Sequence, residues 1–523
     1  MPSYLPVEVI DIIISHIDKS DSSILLNVSL INREWCLIGI LHLWKNPFIK
    51  INSKARFKVY SKIITILLSH LDDKTQSFLK VKDSFGIPRR TTFNYPSFIR
   101  QIDFVILCNL IHSWLDQTKF SSHSINQEID YNNENSGLLS YDYSKHSDGF
   151  QFKIENLIFF EVLFKLIMTK TQGIDTLRII SFEHEFPVSY LYTLINTEKT
   201  RRSLSRLKQF KCKGNFLKRD LISLITEISH EISTFSISLS DDFDQDLKTS
   251  QVSKFLKDQK KIKKLNVKPN NLVTPKYIRK VRTKTLLEIK LFEGNLDYML
   301  ENLLKCPNLR RICFCDSNLY KSQNLSKVVF PNLLDLEIIN CNVFSSDDLS
   351  SPIIPFLIHN GKKIMNIRLS SISGDQIGFL LKISKKYCSN LVTLSVDIQD
   401  EPELEIFSKV LKRCRSLKVV DFGNKCKWQY FVNKNILYLN NISPRNLRKL
   451  RVRYWKVDID VFKEFFENYG TFLNEFECSC TGEESDIRTL VINLVKGMNR
   501  NLVYLLIEEV EFQLIHLVKV RLN

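Results

Sequence analysis

The 523-residue chain is poor in the residues that punctuate a backbone, with 14 glycines and 14 prolines. That scarcity excludes a turn-rich all-β chain and a low-complexity one. Long apolar runs are also missing. The two most apolar later runs, Phe104–Leu115 and Leu157–Met168, span about twelve residues each, and the second contains Glu161 and Lys165. Both are too short to cross a bilayer and are expected to be buried helices. No basic leader precedes the first apolar run, which carries Glu8 and Asp11; a cytoplasmic or nuclear location is expected, with no membrane partner.

Twelve cysteines are present, but none forms a Cys-x-x-Cys pair. The close pairs are Cys313 with Cys315 and Cys478 with Cys480. That spacing does not make a zinc knuckle, and the thiols are expected to be reduced. A glycine-rich phosphate loop ending in Lys-Ser or Lys-Thr is missing, as are His-Glu-x-x-His and Gly-x-Ser-x-Gly; His184 and Glu185 lack the second histidine. No catalytic residue stands out, so the chain reads as non-enzymatic, with no cofactor and no metal.

What is there is ordinary globular material: 44% apolar and 25% charged residues. The length argues for more than one compact core. A net charge of +17 points toward an acidic partner, depending on where the charge sits.

The N-terminus is the most patterned stretch. Pro6 suits a first helical turn. Val9, Ile12, Ile13 and Ile17 recur at helical spacing, and Ile10 and Ile14 add a second stripe, so little of this helix is expected to face water. Asp21 is a candidate cap for a second helix with Leu25 and Val28, and Asn32 for a third with Trp35 and Ile38. Some forty residues bury little surface alone. These helices need a partner, either the rest of the chain or another protein.

Leu5, Pro6, Glu8, Val9, the apolar helix to Ile17, Asp21, Leu25, Val28, Ser29, Trp35, Leu43 and Trp44 together resemble an F-box. The segment departs from that pattern at Asn32 and Arg33, where a Cys-Arg or Cys-Lys pair is usual, and at Ile17 in place of Leu. The resemblance implies docking on the Skp-type adaptor of a cullin–RING ubiquitin ligase, through Leu5, Pro6, Val9, Ile13, Leu25, Val28 and Trp35.

Residues 1–50 are therefore read as the F-box and 51–118 as a helical bridge. In the bridge Ile63, Ile64, Leu67, Leu68 and Leu71 share a face, Gly86 to Pro88 make a turn, and Ile102–Leu115 form a helix; a first irregular repeat could sit inside it. Residues 119–150 are rich in Ser, Asn and Asp without periodicity, which predicts a flexible polar loop.

From residue 151 to 523 a repeat sets in. Its clearest copy carries Leu333, Leu336, Ile338 and Cys341 in the frame L-x-x-L-x-L-x-x-(N/C). Further copies start at Leu207, Ile262, Leu286, Leu309, Ile364, Leu391, Leu417, Leu447, Leu473 and Leu502, and weaker ones at Ile174 and Ile232. These thirteen copies are spaced 23 to 33 residues apart. Amphipathic stretches lie between them, such as Leu404, Phe407, Leu411 and Cys414, or Ile377, Leu380 and Leu381, or the stripe Ile487 to Met498. The expected class is α/β: a leucine-rich-repeat solenoid, a horseshoe with parallel strands inside and helices outside. Cys306, Cys388 and Cys414 each stand three residues before a first repeat leucine, and Cys341 fills the asparagine-or-cysteine position. The pattern resembles the cysteine-containing class of leucine-rich repeat found behind F-boxes, and it makes these cysteines structural.

Residues between the apolar repeat positions map the concave face as charge bands. Lys211, Lys213, Lys264, Lys268, Lys290 and Arg311 come first. Asp335, Glu337, Asp397 and Asp421 follow, with Arg368 among them. Lys449, Arg451 and Arg453 then lie beside Tyr454 and Trp455, before Glu475, Glu477, Glu508 and Glu509. Banding suits a protein partner more than nucleic acid, which favours one continuous basic track. The cluster Lys449, Arg451, Arg453, Tyr454 and Trp455 is the candidate contact for a target protein. The expected function is a substrate receptor of an SCF-type ligase, with the adaptor bridging to cullin and RING subunits. The alternative is a repeat scaffold for nucleic acid or an acidic protein, capped by its N-terminal helices.

Overall fold

The structure is a computed structural model that describes residues 5–17, 22–48, 60–81, 87–88, 91–118, 154–180, 188–213, 221–238, 245–268, 284–292, 296–344, 351–372, 374–398, 401–424, 446–453, 475–480, 504–511 and 514–521. The chain divides into two compact units, Met1–Ile262 and Lys263–Asn523.

The first unit opens with three helices: α1 (Val7–His16), α2 (Ser22–Ser29) and α3 (Arg33–Lys45). Ile10, Ile14, Leu25 and Ile38 bury each other, and Ile17, Val28, Trp35 and Leu43 pack around them. Asn32 caps α3 as expected, its Oδ1 accepting from the Trp35 N–H at 3.0 Å. Asp21 lies outside the described residues.

The bridge is built of short separate elements. It contains α4 (Lys62–Leu68) and α5 (Asp73–Phe78), with Ile64, Leu67 and Leu68 buried. Asp72 ends the stretch between them, accepting from the Thr75 N–H at 2.8 Å. Ile102 belongs to a strand, β1 (Gln101–Asp103), and the expected helix starts only at α6 (Phe104–Thr118). Asp103 sets that boundary, because its Oδ1 accepts from the Ile106 N–H at 3.2 Å. The predicted loop 119–150 lies outside the described residues. α7 (Ile154–Lys170) follows and buries Phe159, Phe160, Leu163 and Phe164.

Strands β2 (Thr176–Ile180), β3 (Gln209–Lys213) and β4 (Thr234–Ser238) then pair in order and in parallel, and β1 pairs with β2. Helices α8 (Val188–Ile195), α9 (Glu198–Leu204), α10 (Leu221–Ile228) and α11 (Gln245–Asp258) alternate with them. Leu177, Phe210 and Phe235 stand level across three strands, all buried.

The second unit continues the plan. β5 (Lys264–Lys268), β6 (Glu288–Leu291), β7 (Arg311–Cys315), β8 (Asp335–Ile339), β9 (Asn366–Ser370), β10 (Thr393–Ile398), β11 (Val419–Asn424), β12 (Lys449–Arg453), β13 (Glu475–Cys480) and β14 (Tyr504–Glu511) are parallel neighbours in sequence order. β15 (Leu514–Arg521) closes the series antiparallel to β14. α12 (Leu296–Leu303), α13 (Ile353–Asn360), α14 (Gly374–Tyr387) and α15 (Glu401–Arg413) lie between strands, and two short 3₁₀ turns replace a helix between β7 and β8. The predicted stripe Ile487 to Met498 lies outside the described residues.

The thirteen expected strands are β2 to β14, and the repeat frame is their register. Leu265, Ile289, Ile312, Leu336, Ile367, Leu394, Val420, Leu450, Phe476 and Leu505 align across ten strands. Each unit is thus an α/β array of parallel strands with helical returns, and in the second the aligned apolar positions from Leu265 to Leu450 are buried.

Polar side chains stitch repeats together. Asn308, Asn332, Asn390 and Asn446 each precede a first repeat leucine, and each donates from Nδ2 to a carbonyl of the preceding repeat at 2.7–2.9 Å. Asn360 is fully buried; it accepts from the Phe330 N–H at 2.7 Å and donates to the Val328 and Phe356 carbonyls. Gln259 does the same in the first unit, between Ser229 O and Ile232 N–H.

Candidate docking face

The first helix places its apolar residues in two directions. Ile10 and Ile14, one turn apart, point into the core with Leu25 and Ile38. Val9, Ile12 and Ile13 point outward and are 37%, 56% and 40% exposed, with Leu5 and Val7 open beside them. The expectation that little of this helix faces water is therefore corrected. Ten of the fourteen large hydrophobic side chains that are exposed among the described residues fall between Leu5 and Leu41. Scattered exposed apolar residues are normal, whereas this concentration in one short segment makes it a candidate interaction surface.

The seven predicted adaptor contacts divide. Leu5, Pro6, Val9 and Ile13 are on the open side. Leu25 is buried, and Val28 and Trp35 are partly buried against the same core. They pack on the buried side of α1, so they support its open apolar side from beneath. Residues outside that predicted set, Ile12, Leu30 and Ile31 among them, are open as well. Helical periodicity revealed two apolar stripes but not which one the neighbouring helices cover.

The face is anchored to the first strand. His42 Nε2 lies 2.7 Å from Asp11 Oδ1, tying α3 to α1. Trp44 packs on Tyr95 with ring centroids 4.4 Å apart. Asn46 Nδ2 donates to Gln101 Oε1 at 2.7 Å, and the Arg100 N–H donates to Lys45 O at 3.0 Å.

The second candidate surface is the sheet face opposite the helices. Here register corrects the banded charge map. In one row of the second unit, Lys264, Glu288, Arg311 and Asp335 are successive partners. Lys264 reaches Glu288 at 2.9 Å, and Arg311 sits 3.6 Å from Glu288, 3.1 Å from Asp335 and 3.9 Å from Glu337. Signs alternate from strand to strand, because like charges directly opposite destabilise a sheet. Arg451 likewise lies in register between Asp421 and Glu477, and Lys449 is level with Glu475. Of the predicted contact residues, Arg451 is therefore flanked by carboxylate positions on both sides and Lys449 on one, while Arg453 is level with Gly423. Tyr454 and Trp455 lie outside the described residues.

The cysteines sit as repeat parts. Burial pushes Cys212, Cys341 and Cys388 up to about 12 and Cys306 up to about 11, and it raises Cys414 as well. Cys313 and Cys315 are buried side by side, Sγ to Sγ 3.4 Å; the hydrogen bond between them raises Cys313 and lowers Cys315. Among the described residues no group of three His, Cys, Asp or Glu side chains could hold a metal ion, and no helix is long and apolar enough to cross a membrane.

No protein-family model matches the chain, and a search of curated proteins returns no relative.

Proposed function

We propose that the chain is the substrate-recognition subunit of an SCF-type ubiquitin ligase. Its N-terminal helices resemble an F-box and dock on a Skp-type adaptor, which bridges to cullin and RING subunits. The repeat units hold a target protein. The contribution is proximity: a bound target's lysines are held at high effective concentration near the conjugating enzyme. The reading requires no chemistry from this chain and no cofactor.

The observation that carries the proposal is the open apolar stripe Val9, Ile12 and Ile13, with Leu5 just before it, on a helix whose other stripe is already buried. A helix that serves only as a cap for the repeats would turn its polar side to solvent. This one presents isoleucines and valines to solvent, next to a tight junction with β1 that fixes their orientation.

The test replaces Leu5 and Pro6 by Asp and Ala in the full chain. Both side chains are exposed, so thermal unfolding stays unchanged while adaptor binding is lost. Equal adaptor binding by the variant would sink the proposal.

A further inference from the structure

One rim of the second unit carries cations with no carboxylate among them. The stretches leading into five successive strands, β7 to β11, are residues 303–310, 327–334, 358–365, 385–392 and 411–418. Together they hold eleven lysines and arginines and no aspartate or glutamate. Ten of the eleven are exposed. In the described ion pairs of this unit the cations are Lys264, Lys268, Arg311 and Lys409, and none of the eleven takes part. The equivalent stretches of the first unit are balanced. There Asp175 pairs with Lys208 at 3.0 Å, Glu227 with Arg201 at 3.5 Å and Glu231 with Lys261 at 2.6 Å.

The five stretches are held side by side. The residue after each first repeat leucine donates its N–H to the carbonyl of its counterpart one repeat earlier. Arg310 donates to Leu287, Leu334 to Arg310, Met365 to Leu334, Val392 to Met365 and Lys418 to Val392, at 2.7–2.8 Å. Adjacent strands are about 4.8 Å apart. That is within the screening length of about 8 Å, so the charges of neighbouring repeats act together. The helix dipole accounts for part of the pattern, since Lys385 and Lys386 end α14 and Lys412 and Arg413 end α15. It does not account for Arg310, Arg415 and Lys418, which stand beyond the helix ends.

The same rim holds apolar side chains in the open. Leu304, Val329, Ile358 and Met365 are 50%, 48%, 46% and 39% exposed. They are the four large exposed hydrophobics, among the described residues, that do not belong to the N-terminal helices. We infer that this rim is a contact surface for an anionic lipid membrane. Such a surface offers negative headgroups to the lysines and hydrocarbon to the aliphatic side chains at once. A nucleic acid would take up the charge but leave the aliphatic side chains in water, and a single strand calls for aromatic platforms. The rim has two aromatic residues: Phe330 is buried, and Lys386 Nζ stands 5.2 Å over the Tyr387 ring. The expectation of no membrane partner concerned leader and spanning segments, and a peripheral contact requires neither. The inference goes beyond the receptor reading and does not depend on adaptor docking.

The test sediments the full chain with vesicles of phosphatidylcholine alone and with vesicles in which about a third is phosphatidylserine. The chain binds the anionic vesicles and not the neutral ones, and binding falls as salt rises. Lys362→Glu combined with Lys412→Glu weakens binding about tenfold or more. Lys74→Glu combined with Lys199→Glu changes the net charge equally, but in the first unit, and stays within about twofold of the wild type. Leu304→Ser combined with Ile358→Ser weakens binding about fivefold at constant charge. Ile13→Asp, in the adaptor-docking face, binds vesicles as the wild type does. All these positions are exposed, so the unfolding temperatures match. Equal binding to both vesicle types, no sedimentation with either, or equal losses from the two charge-reversal pairs overturns the surface. Loss in Ile13→Asp assigns the binding to the N-terminal helices and overturns it too. Unchanged binding in the Leu304 and Ile358 pair overturns the assignment to lipid. So does a DNA duplex bound through Lys362 and Lys412 more tightly than the vesicles.

Discussion

Gly39 on α3 lies so close to Ser29 on α2 that a Cβ at position 39 would come within 2.1 Å of Ser29 Oγ. Ser29 has little freedom to retreat, because it is buried and its Oγ donates to Leu25 O at 2.8 Å. The crossing of α2 and α3 therefore depends on a missing side chain. Leu25 and Ile38 reach Ile10 and Ile14 across that crossing.

Gly39→Ala should accordingly destabilise the first unit by about 1–3 kcal/mol, the usual cost of overpacking, despite alanine's better helix propensity. Thermal unfolding of the full chain checks this. Adaptor binding should weaken in the same variant, since Val9, Ile12 and Ile13 are presented by the packing beneath them.

Asn360 and Asn332 are the same residue type in different settings. Asn360→Ala strips partners from buried backbone groups at Val328, Phe330 and Phe356, a loss of about 1–3 kcal/mol or more. Asn332→Ala removes one exposed hydrogen bond to Pro307 O and should cost less than about 1 kcal/mol. Denaturant titration of both variants measures the difference. Equal losses would mean that Asn360 does not bridge its repeats.

The buried thiols give stability a pH dependence at the alkaline end. In the folded chain Cys212, Cys341 and Cys388 keep their protons up to about 12. In the unfolded chain they lose them near 8.5. Above that pH the folded state binds more protons than the unfolded one, so raising the pH favours unfolding. Stability from these thiols is whole below about pH 8.5 and falls by about 1.4 kcal/mol per thiol and pH unit above it. Unfolding curves between pH 8 and 11 test the slope. In the native chain at pH 8, an alkylating reagent should reach the half-exposed Cys36 and Cys108 before any of these three.

Arg311 holds three carboxylates apart. Arg311→Gln leaves Glu288, Asp335 and Glu337 facing one another across β6 to β8. The arginine is partly exposed, so the loss should be only about 1 kcal/mol at low salt. It should shrink as salt screens the remaining carboxylates. Unfolding measured at low and high salt separates this electrostatic loss from one of packing.

The strands were legible because their signal repeats. Each copy of the frame adds two apolar positions that must face the same helix-covered side, and β2 to β14 follow it. β1 is three residues long and carries no frame, so Ile102 read as part of the following helix. β15 runs antiparallel and has no counterpart earlier in the chain. The open face was misread for a different reason. Lys264 and Arg311 looked like one basic band in sequence order, but Glu288 stands between them in register. Charges 23 residues apart along the chain are neighbours on the sheet, and only the register shows it. The outward stripe of α1 escaped for a related reason. Periodicity marks both apolar stripes alike, and the choice between them is made by Leu25 and Ile38, whose reach depends on Gly39.

The most direct measurement is co-expression of the full chain with a Skp-type adaptor, followed by gel filtration with mass determination. The account predicts a one-to-one complex, and its loss in an Ile13→Asp variant whose unfolding temperature matches the wild type, because Ile13 lies outside the core. A chain that elutes alone, or an Ile13→Asp variant that captures the adaptor as well as the wild type, would contradict the account.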